Sequence, residues 1–318
     1  MPGASYTPSC HMKKLAVGLI VAPMVLLGLV LWKAYAYNQP PPPPPGVTLE
    51  ADITYGKGAA LDLKLDITQP ASGSQTLRPA VVCIHGGGWT GGDRKDMRPF
   101  MYFLNTQGFV CISMQYRLTP KHQFPAQLED VKCAVRWLRA NAEKYHVDTT
   151  RIGVLGLSAG AHLAALLATT PDAKQYEGQG GNANQSSAVK AVAALAGPYD
   201  LTLGYSNSDK QNPQEGAAVK GMLVSFLGGT PDERPKAYRD ASPVSHITRD
   251  APPMLLVHGT ADPLVLHEQS ELMAQKLKEA GATVELLSID GGTHSDFGKD
   301  PMVIINRIAE FLEESSEM

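Results

Sequence analysis

The sequence predicts an α/β fold: a mostly parallel central sheet with an N-terminal antiparallel hairpin and helices on both faces. Three observations predict it. Two alternating segments near residue 50 are followed by short, largely apolar runs. Segments with helical periodicity separate those runs, and one run passes straight into a helix through a tight turn. Continuous apolar strands need cover on both sides, and a parallel sheet gets it from helices wrapped over each face.

The hairpin is read from Val47–Thr54 and Leu61–Ile67, with Gly56-Lys57-Gly58 as the turn between them. Strands follow at Ala80–Ile84, Phe109–Met114, Ile152–Leu157, Ala191–Leu195, Met254–Val257 and Val284–Ile289. From Ala126 to His146, Leu128, Val131, Val135 and Leu138 fall on one helical face. Leu266–Ala280 and Met302–Leu312 carry the same period after the last two strands. Pro171–Ser187 is polar and Pro198–Tyr238 mixed, so both read as loops or insertions at the rim. In the second, Met222-Leu223-Val224 and Phe226 either wall a substrate site or pack beneath a loop.

The chain has 318 residues, 43% of them hydrophobic, which suffices for one large core or two small ones. Lys and Arg number 28 against 31 Asp and Glu, for a net charge of −3, with no long basic run. That balance argues against nucleic acid as the main partner. The four cysteines, Cys10, Cys83, Cys111 and Cys133, form no CxxC pair, so no zinc site is implied. The last three lie in apolar or helical runs and are expected as buried free thiols.

The N-terminus is a different kind of sequence. Residues 1–11 precede Met12 and read as a tag remnant or a misassigned start. Lys13-Lys14 then lead an uncharged run, Leu15–Trp32, that spans about 27 Å as a helix. Ala34-Tyr35-Ala36 has the small-x-small form of a cleavage site. Residues 12–36 are therefore either a removable signal peptide or an uncleaved membrane anchor, and either one exports the rest. Residues 37–46, with six prolines from Pro40 to Pro45, form a spacer whose proline run extends about 19 Å as polyproline II. The folded domain is expected over 47–318.

Gly156-Leu157-Ser158-Ala159-Gly160 joins the apolar run Ile152–Leu155 to the helix former Ala161–Leu167. A serine on so sharp a turn projects its hydroxyl outward, and flanking glycines remove the Cβ atoms that would collide. Ser158 is thus a candidate nucleophile. The run Ala80–Ile84 ends in His85-Gly86-Gly87-Gly88-Trp89, where backbone N–H groups stand exposed. Gly87, Gly88 and Ala159 are the candidate oxyanion donors, each worth about 2.7–4 kcal/mol to an acyl-transfer transition state. Trp89 either lines the acyl pocket or packs behind the glycine loop.

A serine hydroxyl needs a base. His294, in Asp290-Gly291-Gly292-Thr293-His294 after the last strand, is the candidate. His85 is expected to brace the glycine loop, His162 to point elsewhere, and His258 to support the loop that follows its strand. His122, His146, His246 and His267 have no motif around them. The base needs a carboxylate to hold its tautomer. Asp262, in His258-Gly259-Thr260-Ala261-Asp262-Pro263-Leu264, is the candidate, with Asp200 as runner-up. Asp290 and Asp296, so close to His294, read as loop residues.

Taken together, these residues resemble the α/β-hydrolases, and more narrowly the bacterial carboxylesterase/lipase group of hormone-sensitive-lipase-like enzymes and feruloyl or acetyl-xylan esterases. Tyr116-Arg117-Leu118 and Phe124-Pro125-Ala126 with Glu129-Asp130 add to the match, which spans nearly all of the folded region. The resemblance implies a serine ester hydrolase acting through an acyl-enzyme on short-chain or aromatic-acid esters, small or polysaccharide-linked. It implies no metal and no organic cofactor. Relatives closest to hormone-sensitive lipase carry an N-terminal helical cap, whereas here the first strand follows the spacer directly. The resemblance is therefore nearer the cap-poor feruloyl/acetyl-xylan branch, with a more open site. An amidase or peptidase of the same fold is the alternative reading, and a non-catalytic binding relative the second.

Overall fold

The computed structural model describes residues 41–71, 76–171, 173–294 and 301–317. The expected leader at 12–36, with the segment before it and the first spacer residues, lies outside the described residues, as does Asp296. From Pro43 the chain forms one compact unit.

The described strands form one eight-stranded sheet in the order β1-β2-β4-β3-β5-β6-β7-β8. They are β1 Val47–Gly58, β2 Leu61–Pro70, β3 Arg78–Ile84, β4 Val110–Met114, β5 Val147–Leu157, β6 Ala191–Leu195, β7 Met254–Gly259 and β8 Val284–Ile289. β2 runs antiparallel to both β1 and β4, and every other neighbouring pair is parallel. The predicted class is the observed one.

Period-two alternation splits the strand side chains between two cores. Val82, Ile84 and Val154 face α2 (Ala126–Ala140), α4 (Ala159–Thr169) and α8 (Glu268–Ala280), meeting Leu128, Leu163 and Met273. Val81, Cys83 and Leu155 face α1 (Arg98–Thr106) and α9 (Pro301–Glu317), meeting Met101, Ile308 and Leu312. Cys83, Cys111 and Cys133 are buried free thiols.

Two local expectations are corrected and a third is narrowed. The hairpin turns at Ala59-Ala60, both at positive φ, and Gly56 and Gly58 lie within paired strand. Those glycines serve packing: a Cβ on Gly56 would stand 2.6 Å from Cys133 Sγ, and one on Gly58 2.6 Å from Arg117 Nε. The helix from Ala126 breaks at Asn141 into α2 and a short α3 (Ala142–Tyr145), which ends on His146 in the left-handed region. Of the two readings of Pro198–Tyr238, the structure shows an insertion between β6 and β7. It folds into α5 (Leu201–Asn207), α6 (Pro213–Leu227) and most of α7 (Pro235–Ala241).

Candidate active site

The loops leaving the carboxyl ends of β3, β5, β7 and β8 converge, as open α/β sheets require of their ligand sites. β5 ends at Leu157, and Ser158 adopts φ 56°, ψ −119° before α4 begins. This is a strained conformation for a residue with a Cβ. Close packing on both sides holds it. Ser158 N–H donates to Leu195 O at 2.7 Å, and His162 N–H to Ser158 O at 3.0 Å. A Cβ on Gly156 would overlap the Gly160 backbone, and one on Gly160 would stand 2.6 Å from His85 O. The two glycines let the strand, turn and helix come together.

The structure brings Ser158, His294 and Asp262 into one chain of hydrogen bonds. His294 Nε2 lies 2.9 Å from Ser158 Oγ, and His294 Nδ1 2.7 Å from Asp262 Oδ2. Asp262 Oδ1 accepts the N–H groups of Leu264 and Val265 at 2.9 and 3.0 Å. Burial alone would push the Asp262 carboxyl up. Hydrogen bonds from His258 and His294, the His294 charge and the Val265 N–H together hold it well below the usual carboxylate range. A hydroxyl, an imidazole and a carboxylate in this order can move a proton from oxygen to ring nitrogen while the carboxylate steadies the ring. Asp200 instead caps α5, accepting Leu203 N–H at 2.9 Å.

Gly86, Gly87, Gly88, Ser158, Ala159 and His294 line one cavity of about 330 Å³. Among the described residues, neither the Gly87 nor the Gly88 N–H has an acceptor. The loop that presents them is braced from behind. His85 donates from Nδ1 to Gly86 O at 2.8 Å and stacks on Tyr116 with centroids 4.3 Å apart. Burial pushes the His85 imidazole below its ordinary value, so the brace is neutral. Tyr116 Oη donates to His85 O and Gly86 O at 3.1 and 3.2 Å.

Trp89 packs inward and also borders the cavity. Its buried indole stacks on Phe226 at 4.3 Å and donates from Nε1 to His162 Nδ1 at 3.3 Å, while another part borders the cavity. His162 turns away from Ser158, its Nε2 donating to Ala241 O at 2.7 Å.

The rest of the cavity wall is mostly apolar and comes from the helical insertion and the loop after β7: Leu201, Val219, Met222, Leu223, Leu264 and Val265. Met222 and Leu223 thus wall the site, whereas Phe226 packs under it. α5 and α6 thus roof part of the cavity.

Two features escaped sequence reasoning. His258 Nε2 contacts the same Asp262 Oδ2 that His294 uses, at 3.1 Å; the four-residue spacing in His258-Gly259-Thr260-Ala261-Asp262 was the available signal. Buried Asp66 on β2 accepts from Arg94 Nε at 2.8 Å and Arg98 Nη2 at 2.7 Å, anchoring the segment that follows the glycine loop. No motif marks that pairing.

Comparison with known proteins agrees with this architecture. Residues 65–277 match the BD-FAE family model. Esterase LipC of Mycobacterium tuberculosis is 34% identical over 218 residues, covering 68% of this chain and 52% of that protein. Esterase LipQ of the same organism is 34% identical over 249 residues, 77% of this chain and 56% of that protein. The chain spans about half the length of the curated relatives it matches. A truncated carbohydrate esterase from gut microbiota superposes with a TM-score of 0.73 at 28% identity, over 85% of this chain and 97% of that one. The propionate-bound thermophilic esterase Est2 of Thermogutta terrifontis gives 0.67 at 30% identity, over 87% and 95%.

Proposed function

The chain belongs to the BD-FAE family of α/β-hydrolase esterases, and from that premise we propose that it is a serine carboxylesterase working through an acyl-enzyme. The observation that carries the reading is His294 in hydrogen-bond reach of both Ser158 Oγ and Asp262 Oδ2. His294 Nε2 takes the Ser158 proton as Oγ attacks the ester carbonyl, and Asp262 holds the ring through Nδ1. The N–H groups of Gly87, Gly88 and Ala159 receive the oxyanion. His294 then gives its proton to the departing alcohol, and the acyl group stays on Oγ. Water enters, loses a proton to His294 and attacks the acyl carbonyl; the bond to Ser158 Oγ then breaks, His294 returns the proton to Oγ, and the acid leaves.

The apolar wall supports short-chain or aromatic acyl groups. Est2 of T. terrifontis, a structural relative, is described with propionate and with butyrate bound. Polysaccharide-linked acetyl or feruloyl esters fit the same reading, in line with the carbohydrate esterase neighbours. The uncharged Leu15–Trp32 run supports export or membrane anchorage, and sequencing the mature N-terminus decides between them.

A second reading has one specific observation behind it. Arylacetamide deacetylase of Bos taurus is 40% identical over 115 residues, 34% of this chain. Esters and amides pass through similar intermediates, so the test is a side-by-side assay of p-nitrophenyl acetate, p-nitrophenyl butyrate, methyl ferulate, acetylated xylan and an acyl anilide. The ester reading expects kcat/KM for at least one ester well above that for the anilide. Preference for the anilide would replace it with the amidase reading.

A further inference from the structure

The Asp262 carboxylate is shared between two histidines, and only one of them meets Ser158. Oδ2 accepts from His294 Nδ1 at 2.7 Å and lies 3.1 Å from His258 Nε2. That same His258 nitrogen lies 2.8 Å from Val265 O. Its partners, a carboxylate and a carbonyl, are both acceptors, so Nε2 carries the hydrogen. The other ring nitrogen, Nδ1, lies 2.6 Å from Ser270 Oγ on α8. Both the His258 and the Asp262 side chain are fully buried. One ring therefore joins the end of β7, the loop over 262–265 and the first turn of α8.

A carboxylate offers about four acceptor sites. The Leu264 and Val265 N–H groups fill those of Oδ1, and His258 Nε2 fills one on Oδ2. The site left over is the one that His294 uses. We propose that His258 is a positioning residue for Asp262: it fixes the carboxylate's rotation so that the last free lone pair of Oδ2 points at His294, and Ser270 fixes the plane of the His258 ring. Without that donor the carboxylate can turn about its own bond, and the imidazole loses its defined partner. Because Val265 borders the cavity, the same ring also ties the acid to the wall of the acyl site.

The inference rests on reading Ser158, Asp262 and His294 as a hydrolytic triad, and a double-mutant cycle on the full chain separates the two. His258→Phe keeps the ring and removes both nitrogens; His258→Gln keeps a donor near the Nε2 position. With p-nitrophenyl acetate, His258→Phe is expected to lower kcat by roughly ten- to a hundredfold, the loss of one hydrogen bond to a charged group, with KM changed by less than about twofold. In the Asp262→Asn background the same change is expected to alter kcat by less than about twofold, because its effect runs through Asp262. His258→Gln is expected to recover most of the lost rate.

Wild-type kcat in His258→Phe, or an equal fold loss in the Asp262→Asn background, would overturn the proposal. Wild-type kcat in Asp262→Asn would instead overturn the triad reading. Circular dichroism and thermal melting monitor folding. Should His258→Phe fail to fold, Ser270→Ala enters the same cycle, and a kcat loss confined to the Asp262 background decides for the proposal while a loss in both backgrounds decides against it.

Discussion

The Met222 thioether occupies the space in which a side chain on Gly88 would have to begin. The roof helix α6 and the glycine loop are thus in direct contact, and the loop's absence of side chains is what lets the roof close on the site. Gly88 sits at φ +57° and Gly87 at φ +105°.

The two glycines are expected to fail differently when changed to alanine. A Cβ on Gly87 would overlap the backbone of Gly91, which cannot turn aside, and φ +105° lies outside the left-handed helical well. At Gly88 the obstacle is a flexible side chain, and φ +57° is a value that L-residues do visit. Gly87→Ala is expected to lower kcat by about 10²–10³ with or without Met222→Ala. Gly88→Ala is expected to regain at least about tenfold when Met222→Ala is added. Steady-state kinetics on the four variants check this, and equal rescue at both positions would contradict it.

His162 makes stability fall in mild acid. Burial pushes its imidazole down to about 4, with the hydrogen bond to Ala241 O opposing the shift. The unfolded chain takes up that proton near 6.5, so between about pH 6.5 and 4 the unfolded state binds more protons and stability drops as pH falls. The slope from this one group is about 1.4 kcal/mol per pH unit. Urea titrations from pH 7.5 to 4.5 are expected to show His162→Gln losing about one proton's worth of slope. His85, also pushed down by burial, contributes to both proteins, so the difference isolates His162. An unchanged slope would contradict this assignment.

Asp66 is fully buried between Arg94 and Arg98 and also accepts Asp52 N–H at 3.1 Å. Burial alone would raise its pKa, but those donors hold the carboxyl below the usual range. Asp66→Asn takes the counter-charge from Arg98 and leaves Arg94 only the exposed Asp52 carboxylate, which costs about 3–5 kcal/mol. Urea unfolding at pH 7 checks the figure, and a loss below about 1 kcal/mol would mean that the cluster relaxes into solvent.

The residues at the strand ends were legible in the sequence for a physical reason. Ser158, Asp262 and His294 each follow an apolar run that has no stable place except a buried strand, and parallel strands deliver their loops to one edge. The roof was harder to read. Val219, Met222, Leu223 and Phe226 do recur at helical spacing, but Gly216 and Gly221 within α6 and the short helices beside it blur the pattern. The hairpin turn was displaced because glycines mark close packing as readily as turns, and Gly56 and Gly58 make room for Cys133 and Arg117. Pairings such as Asp66 with Arg94 and Arg98 depend on side-chain direction after folding and leave no periodic trace.

The central claim is that Ser158 is the nucleophile, and covalent labelling tests it most directly. Esterase 2 of T. terrifontis, a structural relative, is described as phosphonylated by sarin, which makes a fluorophosphonate probe a natural choice. Treatment at neutral pH, followed by intact-mass measurement and peptide mapping, is expected to give a single adduct on the Ser158 peptide. Its accumulation should track the loss of esterase activity, and Ser158→Ala should remain unlabelled. An adduct on another residue, or labelling of Ser158→Ala at the wild-type rate, would contradict the account.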